Sequence, residues 1–383
     1  MEMKAAEQQP NGWVELIHQI GPDFAARADK MDDSDTFVEE NYKTLKTHKL
    51  FSAGVPADLG GGGMSHREMC AMLRALAGYC GSTALSFSMH QHIIALTVYN
   101  HLHGKPGKPL LEKVAAKELV LISTGGNDWL SSSGTMEKVE GGFRVNARKA
   151  FASGCPMGDI LSTSAQYNDP DAGWQVLHFP VAFASEGVSI ENDWEALGMR
   201  ATGSHTVVYD NVFVPEETVA VRRPRGAYHG LWDLVLPCAM PPIMAVYLGA
   251  VEKAVEIARE KAKKKLDNET IPYLVGEMEN SLTVARMAVE GMIDTNDDYR
   301  FTPSLENTNE LLKRKTIASR AILETAEKAL ETAGGGAFYR KLGLERILRD
   351  VHASQFHPLP EKQQHRFTGR FVMGLDPVGD PGQ

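Results

Sequence analysis

Cysteine is scarce in this chain: Cys70, Cys80, Cys155 and Cys238 are the only four among 383 residues, and no two are spaced as CxxC. That distribution excludes a disulfide framework and a thiolate zinc site, and reduced thiols are expected. A block of positive charge is also missing. Forty Lys and Arg stand against 49 Asp and Glu, a net charge of −9. The longest basic run, AREKAKKK at 258–265, reads as a solvated helix end, so nucleic acid is not an expected partner. No uninterrupted stretch of about 18 apolar residues is evident, which argues against a membrane span, and the opening MEMKAAEQQPNGW lacks the basic-then-apolar order of a secretory signal. A cytoplasmic protein is expected. What is present is ordinary globular composition, 43% apolar and 23% charged, in a chain long enough to bury two or three packed layers.

Residues 12 to 118 carry apolar positions at three- and four-residue spacing, as in WVELIHQI, REMCAMLRALAGYC and TALSFSMHQHIIALTVYNHL. They predict an all-α N-terminal domain over 1–118. The glycines 60 to 63 follow no strand and precede no Lys-Ser/Thr, so they predict a turn rather than a phosphate cradle. After Lys117 the texture changes to short alternating or β-branched runs, among them ELVLIST, GFRVNARKAF, DILSTSAQY, WQVLHFPVAF and HTVVYDNVFVP. With EGG at 140–142 and NDPDAG at 168–173 as hairpin turns, they predict a small β domain over 119–225. Beyond it, helical segments near 239–266, 272–300, 305–333 and 342–355 predict a four-helix bundle over 226–383. Pro241 and Pro242 suit a helix start, and Gly334 to Gly336 end the third helix.

Three stretches together resemble the acyl-CoA dehydrogenase superfamily: LGMRATGSHTVVYDNVFVPEE at 197–217, GFRVNARKAFASGCPMGDIL at 142–161, and AGGGAFYRKLGLERILRDVHA at 333–353. The resemblance implies that family's fold, mixed α and β, with an N-terminal all-α domain, a middle β-barrel domain and a C-terminal four-helix bundle. It also implies a flavin, FAD or FMN, between the β domain and the bundle of a homotetramer built as a dimer of dimers. The reaction stays open, because the superfamily hosts dehydrogenases, oxidases and oxygenases.

An acyl-CoA dehydrogenase needs a carboxylate to remove the proton α to a thioester while hydride passes to the flavin. In the common family pattern that Glu lies a few residues beyond the RD pair. Counted from Arg349 and Asp350, the position is Pro358, preceded by His357. Some members place the base at the start of the first bundle helix, where this chain has Ala239. Asp233 and Glu361 are nearby carboxylates and remain alternatives. The two-component flavin-dependent monooxygenases on this fold resemble the chain more closely, with RD, a short turn and then His, as in RDVHASQFH. The resemblance implies His357 as a catalytic residue whose neutral imidazole takes a proton from a phenol or amine, or hydrogen-bonds a C4a-hydroperoxyflavin. A helix-capping histidine is the plain alternative.

Ser153, in KAFASGCP, falls where these oxygenases carry a serine that approaches flavin N5. A hydroxyl there can donate to the oxidised ring or accept from the reduced one; a serine in an ordinary turn is the alternative. Cys155 reads as packing. His90 and His92 sit two apart on a helix and cannot share a face; His92 matches a substrate-side, catalytic histidine of the oxygenases, with a core or surface role open for either. For flavin contact the resemblance implies Thr124, Asn127 and Ser131 around the GGND turn, and Phe151 beside Ser153. The family's arginine for the FAD pyrophosphate is replaced by Lys261, which lacks a guanidinium's planar fork, and a later glutamine by Gly276 or Glu277. FMN or a loosely held reduced FAD becomes the expectation. Gly334 and Gly335 allow close backbone approach to a cofactor, and Arg200, Thr202, Ser204 and Asp233 can support flavin or substrate.

The leading expectation is thus a monooxygenase that takes reduced flavin from a separate reductase, and O2, to hydroxylate a small organic substrate. An acyl-CoA dehydrogenase with a displaced base and a non-catalytic flavin-binding subunit are the alternatives.

Overall fold

The computed structural model describes residues 12–124 and 128–379. Five helices come first: α1 (Trp13–Asp33), α2 (Glu39–Thr47), α3 (His66–Ala77), α4 (Gly81–Leu102) and α5 (Lys108–Lys117). The start of α3 shows local sequence at work. Ser65 accepts from the Glu68 N–H while the Glu68 carboxylate takes the Ser65 N–H, a capping box that satisfies two otherwise free donors.

Eight strands follow: β1 (Leu121–Ser123), β2 (Thr135–Val139), β3 (Gly142–Lys149), β4 (Ile160–Asp169), β5 (Gly173–Ala182), β6 (Val188–Ile190), β7 (Val207–Pro215) and β8 (Val221–Pro224). They form one sheet in the order β6-β7-β3-β2-β4-β5-β8, with β1 parallel to β4. Among the described residues the end strands β6 and β8 are not paired to each other, so hydrogen bonds do not close the sheet into a complete barrel. The two glycine-bearing turns serve the hairpins β2–β3 and β4–β5, in register Val139↔Gly142 and Asp169↔Gly173.

The C-terminal helices are α6 (Leu231–Ala262), α7 (Ile271–Asn296), α8 (Leu305–Ala333), α9 (Leu344–Val351) and α10 (Glu361–Val372). Two expectations change here. The fourth bundle segment, expected near 342–355, is α9 running into a 3-10 turn at His352–Gln355, and a further helix, α10, not expected from the sequence, follows it. The first bundle helix starts at Leu231, so Pro241 and Pro242 lie inside it along with Pro237. A proline inside a helix leaves the carbonyl four residues back without its donor. The two freed by Pro241 and Pro242 are recaptured by side chains: Asn296 Nδ2 donates to Pro237 O at 3.0 Å, and His66 Nε2 lies 3.2 Å from Cys238 O. Burial lowers the His66 pKa to about 4, so its ring is neutral and donates through that nitrogen.

The same helix also corrects the reading of hydropathy. An 18-residue window within Leu231–Lys265 has mean hydropathy 1.9, long and apolar enough for a membrane by composition, yet 94% of it is buried by the surrounding helices. A core helix hydrophobic on all sides reads the same way as a span.

Candidate functional site

A cavity of about 480 Å³ opens between the sheet, α4, α6 and the turns around α9. Its sheet side is built from two turns that hold each other. Ala152 N donates to His205 O at 3.2 Å and Gly154 N to Thr202 O at 2.9 Å. Gly154 has φ +81, and a Cβ there would stand 2.7 Å from Tyr42 Oη, so glycine is required at this approach. Phe151 and Met199, both lining the cavity, carry φ of 61 and 52. Bulky residues in that region store about 1–3 kcal/mol of strain each, sustained by the packing around them.

The turns present a file of hydroxyls. Ser153 Oγ lies 2.7 Å from Ser204 Oγ, Ser204 Oγ lies 2.6 Å from Thr202 Oγ1, and Thr202 Oγ1 donates to Met199 O at 2.8 Å. The direction follows from the last link. A carbonyl only accepts, so the Thr202 proton is committed to it. Thr202 must then accept from Ser204, and Ser204 from Ser153. The reverse order would set two lone pairs against each other at 2.8 Å. Ser153 therefore spends its proton inward and presents lone pairs to the cavity.

The helical side is made differently. Leu85 and Met89 of α4 line it, and His92 follows them at i+7 from Leu85 on the same face. His90, on the opposite face, is a core histidine: Nε2 lies 2.7 Å from Phe51 O and Nδ1 accepts from Leu121 N at 3.0 Å. His92 is not a lining residue, but its Nδ1 is buried without a hydrogen-bond partner among the described residues, and it is close enough to His357 to disfavour a charge there. Burial lowers its own pKa to about 4. His357 lines the cavity, and its Nε2 lies 2.7 Å from the hydroxyl of Tyr247 on α6. Burial first, then the cation of Lys315, hold the His357 pKa down to about 3, while burial pushes the Tyr247 phenol well above its usual range. Both groups are neutral at physiological pH.

The two sides are stapled by the sequence motifs themselves. Asp350 accepts from Met199 N, and Arg349 NH1 donates to Leu197 O at 3.0 Å. A Cβ on Gly198 would stand 2.4 Å from the Arg349 carbonyl, so the LGMR turn can seat on α9 only through glycine. Arg349 lines the cavity, but its guanidinium is engaged by Asp32 at 2.6 Å and Glu345 at 2.8 Å.

Among the described residues that line this cavity none is Asp or Glu. The two carboxylates offered by the sequence are occupied elsewhere. Asp233 is buried at the start of α6, where its Oδ1 accepts from Tyr228 and, at 2.6 Å, from Thr308. It does not line the cavity and has no access to a substrate there. Glu361 is forked by Arg320 at 2.6 and 2.8 Å on the exposed side of α10, and the Arg320 and Lys362 charges draw it down to about 2.

Other expected contacts also lie off the cavity. Arg200 turns its Nε to Ala196 O at 2.9 Å and toward Asp35, leaving Arg349 as the lining arginine. Thr124 donates to Thr163 at 2.7 Å, and its neighbour Ser123 faces the cavity, as alternation along a strand dictates. Ser131 is exposed on a loop fixed from beneath by buried Lys149, which reaches Asp128 at 2.6 Å and Ser133 O at 2.7 Å. Asn127 lies outside the described residues. Lys261 is fourteen residues along α6 from Tyr247, about 21 Å at the helical rise. Gly334 closes α8 with φ +75 beside Lys265, and Gly335 faces open space. Within one chain, Lys261, Gly334 and Gly335 do not reach this cavity.

What the lining does suit is a flat aromatic heterocycle. Leu85, Met89, Phe151 and Trp194 offer apolar faces, and the hydroxyl file offers one polar edge.

The model for the N-terminal domain of acyl-CoA dehydrogenases matches residues 21–118, and that for the C-terminal domain matches 244–361, together more than half of the chain. The chain belongs to the acyl-CoA dehydrogenase superfamily. Relatives point both ways on chemistry. The chain is 28% identical over 377 residues to YdbM of Bacillus subtilis (strain 168), by name a candidate acyl-CoA dehydrogenase, covering 94% of this chain and 96% of that protein. It is 26% identical over 391 residues to the oxygenase component of p-hydroxyphenylacetate 3-hydroxylase from Acinetobacter baumannii, covering 95% and 89%. Among solved structures, KijD3 in complex with FMN and dTDP-3-amino-2,3,6-trideoxy-4-keto-3-methyl-D-glucose matches with a TM-score of 0.87 at 21% identity, over 97% of this chain and 94% of that one. This member of the superfamily is a flavin-dependent oxidoreductase by descent.

Proposed function

We propose that this protein is the oxygenase of a two-component flavin-dependent monooxygenase, taking reduced flavin from a separate reductase and acting on a small aromatic or amine substrate. The observation that carries the reading is the cavity without a carboxylate, where a desaturating enzyme requires a base within hydrogen-bond reach of the α-carbon. A reduced flavin held there supplies two electrons, so that one atom of O2 enters the substrate and the other leaves as water.

Every other part is assigned to the chain's own residues. Phe151, Trp194, Leu85 and Met89 enclose the ring and exclude water. Ser153, with its lone pairs turned to the cavity, would hold a reduced flavin by accepting from its N5–H, the one state in which N5 is a donor. His357 meets the substrate hydroxyl or amine. Because burial disfavours imidazolium, it acts as a hydrogen-bond acceptor first, and takes the proton only as negative charge develops on the substrate beside it. Tyr247 holds the far side of that ring, and His92 borders the substrate side. Lys261 in place of the family's pyrophosphate arginine, with no planar fork to offer, favours FMN or a loosely held FAD over a tightly bound dinucleotide.

The test is product formation from isotopically labelled O2, with NADH, a generic flavin reductase and a panel of phenols, indoles and amines. One labelled oxygen in the product, lost in His357→Ala, is the expected result; flavin oxidation without labelled product across the panel refutes the reading.

A further inference from the structure

Lys315 is a buried lysine without a carboxylate. It projects from α8 with 1% of its surface exposed. Among the described residues its hydrogen bonds run to two main-chain oxygens, Gln355 O at 3.3 Å and Leu359 O at 3.2 Å. These carbonyls bracket His357. One turn further along α8, Ser319 Oγ meets Ser354 Oγ at 2.7 Å, and Arg320 forks onto Glu361. The whole segment from Ser354 to Glu361 is thus hung on one helix.

We infer that Lys315 is a positioning residue for His357: by gripping Gln355 and Leu359 it fixes where the imidazole meets Tyr247, and its charge opposes a second positive charge on the cavity wall. The inference rests on the role given to His357 above and names what holds that residue in place, with a charge that adds to the burial keeping its ring neutral.

A neutral amide would hold two carbonyls with less desolvation, since burying an unpaired ammonium costs several kcal/mol even after relaxation. Burial alone lowers the Lys315 pKa, to about 8, so the site tolerates the cation at neutral pH under strain. Its field explains why a cation stands there. The groups that face His357 are Lys315 from α8, His92 from α4 and the Tyr247 hydroxyl from α6; after burial, Lys315 is the leading cause that keeps the ring unprotonated, with His92 behind it.

Two variants separate grip from charge. Lys315→Gln keeps a donor and removes the charge; Lys315→Met removes both. The first readout is the titration of His357 in the intact protein, followed by NMR with isotope-labelled histidine and assigned by the signal lost in His357→Asn. In both variants the midpoint is expected to rise by about one pH unit, a tenfold change in proton affinity. The second readout is kcat and KM of the coupled reaction at neutral pH, where His357 is unprotonated with or without the Lys315 charge. Lys315→Met should also lower kcat about tenfold with KM little changed, the signature of a misplaced group. An unmoved His357 midpoint in Lys315→Gln overturns the charge role, and an unchanged kcat in Lys315→Met overturns the positioning role; if Lys315→Met does not fold, Lys315→Asn, whose donor is too short to reach both carbonyls, decides the latter. The titration requires neither substrate nor O2, so it stands or falls separately from the oxygenase reading.

Discussion

The two walls of the cavity solve the same problem with opposite materials. The sheet side places Ser153, Ser204 and Thr202 in a file that ends on a main-chain carbonyl, all within turns tied backbone to backbone. The helical side places His357 and Tyr247 on the lining and Lys315 behind them, on three separate elements surrounded by apolar packing. Hydroxyls do not titrate near neutrality, so the first wall has a fixed polarity set by proton direction. The second is made of groups whose charge state burial has shifted. One wall is a geometric device and the other an electrostatic one.

Breaking the electrostatic wall should cost most. His357→Ala is expected to reduce labelled-product formation by about 10²-fold or more, the usual scale of a positioned acid–base group, while flavin binding, measured by equilibrium titration, is retained. Tyr247→Phe removes one hydrogen bond from the same ring and should lower kcat about tenfold, with substrate KM as the control.

The geometric wall should respond more gently and in a different observable. Thr202→Val removes the donor that commits the file to Met199 O and frees Ser153 to donate outward. The preference for reduced over oxidised flavin, read as the ratio of their dissociation constants, should fall about fivefold, the worth of one hydrogen bond.

The smallest effect concerns the staple between the walls. Burial raises the Asp350 pKa from 3.8 to about 6. A carboxyl whose folded pKa exceeds its unfolded one binds its proton better in the folded state, so its contribution is fullest below pH 4 and is lost as pH rises through about 6. Asp350→Asn keeps an acceptor for Met199 N, and should flatten that part of the dependence of Tm on pH.

The contrast also marks what a sequence can disclose. The order helix, strand, helix was legible from apolar period and turn residues, because those are local. Ser153 and His357 were legible only through motif resemblance, and the fold sets both on one cavity. Tyr247 and Lys315 were not, because their significance lies in partners 110 and about 40 residues away, Lys315 reading as one more lysine in the periodic pattern of α8. Pro241 and Pro242 misled for the same reason: the donors that rescue their carbonyls, His66 and Asn296, are distant in sequence. Lys261 reads by analogy as a holder of the cofactor's pyrophosphate, and Gly334 and Gly335 as an approach to the adenosine side of a neighbouring subunit's flavin, so none of the three bears on the cavity of its own chain. Arg200 and Arg349 are both motif arginines, and it is the hold of Ala196 O and Asp35 on Arg200 that leaves Arg349 at the lining.

The most direct test of the missing carboxylate is an anaerobic titration of the flavin-loaded protein, in its oxidised form, with a series of acyl-CoA thioesters while the flavin's visible absorbance is followed. The account predicts an unbleached spectrum at every chain length, because no carboxylate lines the cavity among the described residues. Stoichiometric bleaching by any one thioester would contradict it.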